Sequence, residues 1–281
     1  MLVLKTVDEL RQQIADWRNS ALKIACVPTM GNLHSGHLSL VDKAKEIGDK
    51  IVVTIFVNPT QFVRGEDFES YPRTLDTDME KLQALDVDLL FCPDVSEIYP
   101  SGGESQICIE VPSHLENIYC GKSRPGHFTG VATVVTKLFN IVQPDIALFG
   151  EKDYQQLLVI KQLVKDLCFP VEIISMPTVR EANGLAMSSR NTYLDEQETV
   201  MATTIHDVLE KIAAEIRSGS DDYKKLVKQG KKTLTRAGLK TDYLAVADAE
   251  TLGEPGDGNL VVLVAAVIGK ARLIDNVIIR R

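Results

Sequence analysis

Apolar positions along the chain recur with two different periods. Val7, Leu10, Ile14 and Trp17 fall at helical intervals behind a Thr6–Glu9 capping-box spacing, which predicts an amphipathic helix. The run 22–30, LKIACVPTM, is apolar and of strand length. Next, 35–48 places Leu38, Val41, Ala44 and Ile47 at helical spacing and stops at Gly48, a predicted C′ glycine. IVVTIFV (51–57) is continuously apolar, as expected of a strand covered on both faces. A polar stretch from Asn58 to Arg73 precedes a helical pattern ending near Leu85 and a short apolar DLLFCP. Further on, 131–143 predicts a helix ended by Pro144, 145–150 a strand, 152–167 a helix and 171–177 a strand.

Repeated strand–helix–strand order predicts an α/β fold with a doubly wound parallel sheet, Rossmann-like, over residues 1–177. The pattern then changes. Residues 195–217 predict one long amphipathic helix, 221–236 a second and basic one, and TDYLAVADAETL and NLVVLVAAVI two strands joined through GEPGDGN. Residues 178–281 therefore read as a smaller α+β domain ending in an antiparallel hairpin. No internal repeat or low-complexity segment interrupts the chain.

Composition narrows the function classes. With 281 residues, 44% hydrophobic and 25% charged, the chain has the balance of an ordinary globular protein, not of a disordered or collagen-like one. Thirty-one basic against 39 acidic residues give a net charge of −8 and no long Lys/Arg block. No nucleic-acid or membrane partner is expected on that balance, while phosphate-bearing metabolites stay open. Cys26, Cys92, Cys108, Cys120 and Cys168 are odd in number and scattered, without a C-x-x-C pair, which suits a reducing compartment better than a zinc ribbon or disulfide framework. The longest apolar run, 260–268, is about half the ~20 residues of a membrane helix. The N-terminus lacks a signal-peptide apolar core, so a cytoplasmic protein is expected.

PTMGNLHSGHLSL (28–40) lies between a predicted strand and a predicted helix, where an open α/β sheet places its ligand. Its Gly31-x4-Gly36 spacing lacks the Lys and Ser/Thr of a P-loop. What remains is His34 and His37 three residues apart, with Gly36 removing bulk beside them. At a helix N-terminus such imidazoles and nearby N–H groups suit phosphate oxygens. The alternatives are a metal site, for which no acid or cysteine lies nearby at ligand spacing, or a surface accident. LFGEKDYQQL (148–157) again runs from a strand end into a helix. Lys152 there suits a phosphate and Asp153 a hydroxyl or metal-bound water; the alternative is a solvated helix start. LAMSSRN (185–191) offers two hydroxyls and an arginine as an anion clamp, or else a helix-capping linker. Asn58, Gln61 and Gln156 are carboxamides suited to a ligand carrying a carboxylate and hydroxyls, or are ordinary polar residues.

The HSGH layout resembles the HIGH-type motif of the nucleotidylyltransferase superfamily. PTMGNLHSGHLSL, FVNPTQF, YPRT, SRPGHFTGVATVV, LFGEKDYQQ and MSSRN together resemble the pantoate–β-alanine ligase family in order and spacing over nearly the whole chain. The resemblance implies condensation of (R)-pantoate with β-alanine, driven by cleavage of ATP to AMP and pyrophosphate with Mg2+, through an enzyme-bound pantoyl adenylate, by a homodimer. It implies that Met30, Gly31, Asn32, Leu33, His34, Ser35, Gly36 and His37 line the ATP site, with His34 and His37 on the phosphates. Gly150, Glu151, Lys152, Asp153, Val179, Met187, Ser188, Ser189 and Arg190 would complete it. Gln61 and Gln156 would hold pantoate, with Asn58 and Arg124 as neighbours, and the C-terminal domain would act as a lid. A nucleotidylyltransferase that stops after nucleotide transfer, or a non-catalytic nucleotide sensor, would share the phosphate motifs; the carboxamide set favours the ligase.

Overall fold

The computed structural model describes residues 1–102 and 105–281. It divides into two compact units: Met1–Glu151 with Val159–Pro177, and Lys152–Leu158 with Thr178–Arg281. Residues 152–158, which the sequence pattern leaves in the first domain, group with the second unit.

In chain order the elements of the first unit are β1 (Leu2–Leu4), α1 (Val7–Asn19), β2 (Ile24–Thr29), α2 (Ser35–Ile47), β3 (Lys50–Ile55), α3 (Leu75–Ala84), β4 (Leu89–Phe91), the short α4 (Val95–Ile98), α5 (Ser113–Glu116) and α6 (Tyr119–Ser123), α7 (His127–Val142) and β5 (Ile146–Gly150). α8 (Tyr154–Asp166) has residues in both groupings, and β6 (Glu172–Met176) closes the first unit. Six strands form one parallel sheet in the order β1-β4-β3-β2-β5-β6. The continuous apolar reading of β2 and β3 has a direct cause. Ala25, Val27, Ile51 and Val53 pack with Leu40, Val41 and Ala44 of α2 and Leu82 of α3, while the alternate residues Ile24, Cys26 and Val52 are buried as well.

The strand order reverses between β2 and β5, which makes their carboxyl ends the crevice of a doubly wound sheet. Asp145 N donates to Ile24 O and Phe56 N to Thr29 O, so even-numbered residues of β2 face β5 and odd ones face β3. Pro28 therefore withholds its N–H from the β5 side. The β2–β5 ladder ends at Cys26↔Ala147, while β2–β3 pairing continues to Thr29↔Ile55.

The second unit contains α9 (Glu196–Ala202), α10 (Thr204–Arg217), α11 (Tyr223–Arg236) and an antiparallel sheet of β7 (Lys240–Asp248), β8 (Leu260–Ile268) and β9 (Ala271–Ile279), in that order. Its core joins Ile205, Leu209 and Ile212 of α10 and Leu226 and Leu234 of α11 to Leu260, Val262, Val264, Leu273 and Val277 of the sheet.

Several predicted boundaries move. β1 and β9 are strands the periodicity does not reveal, so the C-terminal hairpin is a three-stranded sheet with β8 at its centre. The single helix expected over 195–217 breaks at Thr203, whose hydroxyl donates to Val200 O 2.8 Å away and competes with the helical ladder. α7 starts at His127, four residues before the expected start. Gly48 is not in the left-handed region (φ −122°); a Cβ there would lie 2.7 Å from Ala25 Cβ, so glycine is set by close approach to β2.

Candidate functional site

β2 delivers the chain to the crevice and α2 takes it away, and the turn between them demands unusual backbone. Gly31 (φ +83°) and Asn32 (φ +49°) are both left-handed, and a Cβ on Gly31 would lie 3.1 Å from Ile55 Cγ2. The buried carboxylate of Asp78, on α3, holds this turn. It accepts from Asn32 N and Leu33 N at 2.8 Å each and from Thr74 Oγ1 at 3.1 Å. One turn further on, Lys81 Nζ donates to Leu33 O at 2.6 Å. The sequence reading missed both. Their only trace there is the i, i+3 spacing of an acid and a base on one helix.

His34 is the N-cap of α2 and its Nδ1 accepts from Gly36 N at 3.1 Å; His37 Nδ1 accepts a long 3.4 Å bond from His34 N. The two rings stand 4.1 Å apart between centroids. A neutral imidazole that accepts at Nδ1 carries its proton at Nε2, so each ring has its N–H donor at Nε2. Ser35 adds the first N–H group of α2, where the helix dipole favours negative charge.

The turn after β3 supplies the carboxamides. Gln61 Nε2 lies 3.1 Å from Met30 Sδ, which ties this turn to the Met30–His37 loop. Asn58 is fully buried and internally committed. Its Nδ2 donates to Gln61 Oε1 (3.0 Å) and Gly130 O (3.2 Å), and its Oδ1 accepts from Tyr99 OH (2.6 Å) and Thr60 Oγ1 (3.0 Å). Asn58 thus fixes the orientation of Gln61. Burial pushes the Tyr99 hydroxyl up to about 12, keeping it a neutral donor.

Arg124 is likewise engaged. It forms a two-point ion pair with Glu66, meets His127 Nε2 at 2.8 Å and reaches Gln61 O at 3.4 Å. His127 Nδ1 lies 2.7 Å from Gln61 O, and a carbonyl only accepts, so His127 carries its proton at Nδ1 and accepts from Arg124 at Nε2. Burial alone would raise the Glu66 carboxyl, but the Arg124 hydrogen bonds and charge outweigh it and hold Glu66 below the usual range.

At the end of β5, Gly150 leads into a short 3-10 turn, Glu151–Asp153, and Ser175 Oγ donates to Glu151 Oε1 at 3.2 Å. The remaining predicted residues belong to the second unit. Lys152 is largely buried with Nζ 3.6 Å from Asp153 Oδ2, and Gln156 is half-buried on the first turn of α8. Val179 and Met187 face each other across a small hairpin, Met187 N donating to Val179 O at 3.0 Å. Ser188 caps the 3-10 turn Ser189–Tyr193, its Oγ accepting from Arg190 N at 3.2 Å, while Ser189 is buried and Arg190 half-buried.

A parallel doubly wound sheet with a phosphate-type helix start at its switch point defines a nucleotide-handling α/β protein. Within that class the chain belongs to the pantoate–β-alanine ligase family, whose model, described as Pantoate-beta-alanine ligase, matches residues 2–278. Pantothenate synthetases of Azotobacter vinelandii and Pseudomonas aeruginosa are each 53% identical to it over 278 residues, 98% of this chain and of theirs. The crystal structure of pantothenate synthetase from Thermus thermophilus matches with a TM-score of 0.91 and 43% identity, covering 99% of both chains. Pantoate–beta-alanine ligase from Francisella tularensis, solved with beta-gamma ATP and beta-alanine, matches with a TM-score of 0.81 and 39% identity over 99% of this chain and 97% of its own.

Proposed function

We propose that this protein ligates (R)-pantoate to β-alanine at the expense of ATP, giving pantothenate, AMP and pyrophosphate. The observation that carries the reading is the Met30–His37 loop at the switch point, with two Nε2–H donors at a helix start and Gln61 tied to it through Met30.

In the first step a pantoate carboxylate oxygen attacks the α-phosphorus. The α–β bridging P–O bond breaks, and its electron pair leaves with pyrophosphate. In the second, the β-alanine nitrogen attacks the acyl carbon of the pantoyl adenylate; the C–O bond to AMP breaks and the nitrogen loses a proton. The substrate brings its own nucleophile, so the protein's work is alignment and charge stabilisation. His34 and His37 donate from Nε2 to phosphate oxygens, and His37 stabilises charge that develops as pyrophosphate departs. Met30–Leu33, Ser35 and Gly36 line the nucleotide with Gly150 and Glu151. Lys152, Asp153, Val179 and Met187–Arg190 complete its site, Lys152, Ser188, Ser189 and Arg190 acting on the phosphates. Gln61 and Gln156 hold pantoate, while Asn58 and Arg124 position Gln61 from behind.

Among the described residues no group of three His, Cys, Asp or Glu side chains is placed to hold a metal ion. That donor set fits Mg2+ carried by nucleotide phosphates and water, with Asp153 as the carboxylate nearest in chemistry to such a role. Bound there, the ion would neutralise triphosphate charge. Among the described residues no helix is long and apolar enough to cross a membrane. A homodimer acting in the cytoplasm completes the proposal, and light scattering on the purified protein tests the dimer.

The decisive experiment mixes enzyme, ATP and pantoate, measures pyrophosphate, then adds β-alanine and measures AMP. Stoichiometric pyrophosphate before the amine is expected; none at all would sink the ligase reading. Pyrophosphate with no AMP on adding β-alanine would point to plain nucleotide transfer. Replacing His37 by Ala should lower kcat/KM by about 100-fold with the fold intact by circular dichroism. Unchanged turnover would remove His37 from the mechanism.

A further inference from the structure

β9 departs from its own pattern at two adjacent residues. Ala271, Leu273, Val277 and Ile279 alternate into the core formed with α10 and α11, and position 275 falls in that series as an aspartate only 4% exposed. Asn276, on the opposite face of the strand, is 5% exposed. A buried carboxylate and a buried amide in an apolar strand are unfavourable unless each is satisfied.

Both are, and by segments that matter to the reaction. Asp275 receives Arg180 through two hydrogen bonds, Nη1 to Oδ2 at 2.6 Å and Nη2 to Oδ1 at 3.0 Å, and Asn276 N at 2.8 Å. Arg180 also donates to Asn276 O and Gly184 O. It forms the bridge with Ala186 at the base of the hairpin whose ends are Val179 and Met187–Ser188. From the other face of the strand, Asn276 Nδ2 donates to the backbone carbonyl of Lys152 at 3.0 Å. Apolar residues of similar volume often serve a core as well as a buried ion pair, so the Arg180–Asp275 pair is weak evidence of a stabilising role.

We infer that Asp275 and Asn276 are positioning residues for the adenylation step: from neighbouring positions on one strand they set Lys152 and the Val179–Arg190 segment on a common platform. The inference rests on the proposed placement of those two segments on the nucleotide. It makes a distinction between the half-reactions. Pyrophosphate has left before the amine reacts, while the adenylate stays bound, so a disturbed platform slows the first half more than the second.

The test uses the full-length enzyme with Asn276→Ala and with Asn276→Asp, which turns an oxygen toward the Lys152 carbonyl at nearly constant volume. Pyrophosphate release is followed in single turnover with ATP and pantoate, and amine transfer on enzyme loaded with synthetic pantoyl adenylate. Asn276→Ala is expected to slow pyrophosphate release by about 10-fold to 100-fold, and Asn276→Asp by more, with amine transfer slowed less. Equal slowing of both halves overturns the inference, since that is what a general structural role gives. Lys152→Ala is the reference. If it is slow and both Asn276 variants are normal, the strand has no such role and the nucleotide site stands. If all are normal, the placement of Lys152 on the phosphates fails and the inference falls with it. Asp275→Asn is the harsher variant and is read only alongside its thermal melt.

Discussion

The Met30–His37 loop and the 179–191 segment are given the same ligand chemistry, yet the chain holds them by different means. The loop is braced from a neighbouring helix by charge: the buried Asp78 collects two backbone N–H groups and Lys81 takes the Leu33 carbonyl. The later segment has backbone rungs of its own, Met187 N to Val179 O and Glu181 N to Leu185 O, with Asn191 Nδ2 bridging Ala186 O and Glu181 Oε1, besides the Arg180–Asp275 pair. A left-handed turn has few N–H partners of its own and needs an outside acceptor; a hairpin supplies its own partners. The difference teaches that the first region should be brittle to loss of its one outside acceptor, whereas the rungs of the second should tolerate loss of a local side chain such as Asn191.

Replacing Asp78 by Ala tests the brittle side and carries the largest effect. Two backbone N–H groups, one buried and one half-buried, lose their acceptor, which costs about 3 kcal/mol in total, and urea unfolding should show it. The misplaced imidazoles should lower the rate of pyrophosphate formation by about 100-fold. Asn191→Ala is the counterpart in the hairpin. It removes neutral and charge-assisted bonds from a half-buried side chain, and a loss of about 1 kcal/mol is expected. Equal losses in the two variants would erase the contrast.

Acid should divide the two units. In the first, burial tends to raise the Asp145 carboxyl, but hydrogen bonds from Arg18 and Ile24 N more than compensate and hold it low, as Arg124 does for Glu66. A carboxyl with a lowered folded pKa contributes stability that is present above its unfolded value and lost as pH falls through the folded one. Amide exchange at Ile24, at the start of β2, should therefore accelerate below about pH 4. In the second unit Asp248 is lowered chiefly by Thr251, but it lies at the end of β7 and is not buried, so β7 should keep its protection longer. Faster acid loss in β7 than in β2 would refute this. The smallest effect belongs to Thr203→Ala, which removes the bond to Val200 O at the break between α9 and α10. A change within about 0.5 kcal/mol is expected, with helix content by circular dichroism equal or slightly higher.

The local bonds of the candidate site were legible because loop chemistry is local. His34 and Gly36 sit three residues or fewer from the groups they bond, and the carboxamides of the NPTQ turn lie on one short segment. Asn58 shows the limit of that reading. Its residue type suits a ligand, and only the positions of Tyr99 and Gly130 reveal that its carboxamide faces inward. Arg124 repeats the lesson through Glu66, 58 residues away.

The sequence alone determined where most strands and helices of the parallel sheet would form, since periodicity and burial on one or both faces are written position by position. It also marked the segments that are proposed to carry phosphate-type chemistry. Only the tertiary structure decided that β1 joins the sheet edge beside β4, that β9 completes a three-stranded sheet, and that Asp78 and Asp275 brace segments far from them in sequence. The reason is physical. A three-residue strand has too few positions to show a period, and a buried polar side chain takes its meaning from a partner brought near by folding, which no local pattern encodes.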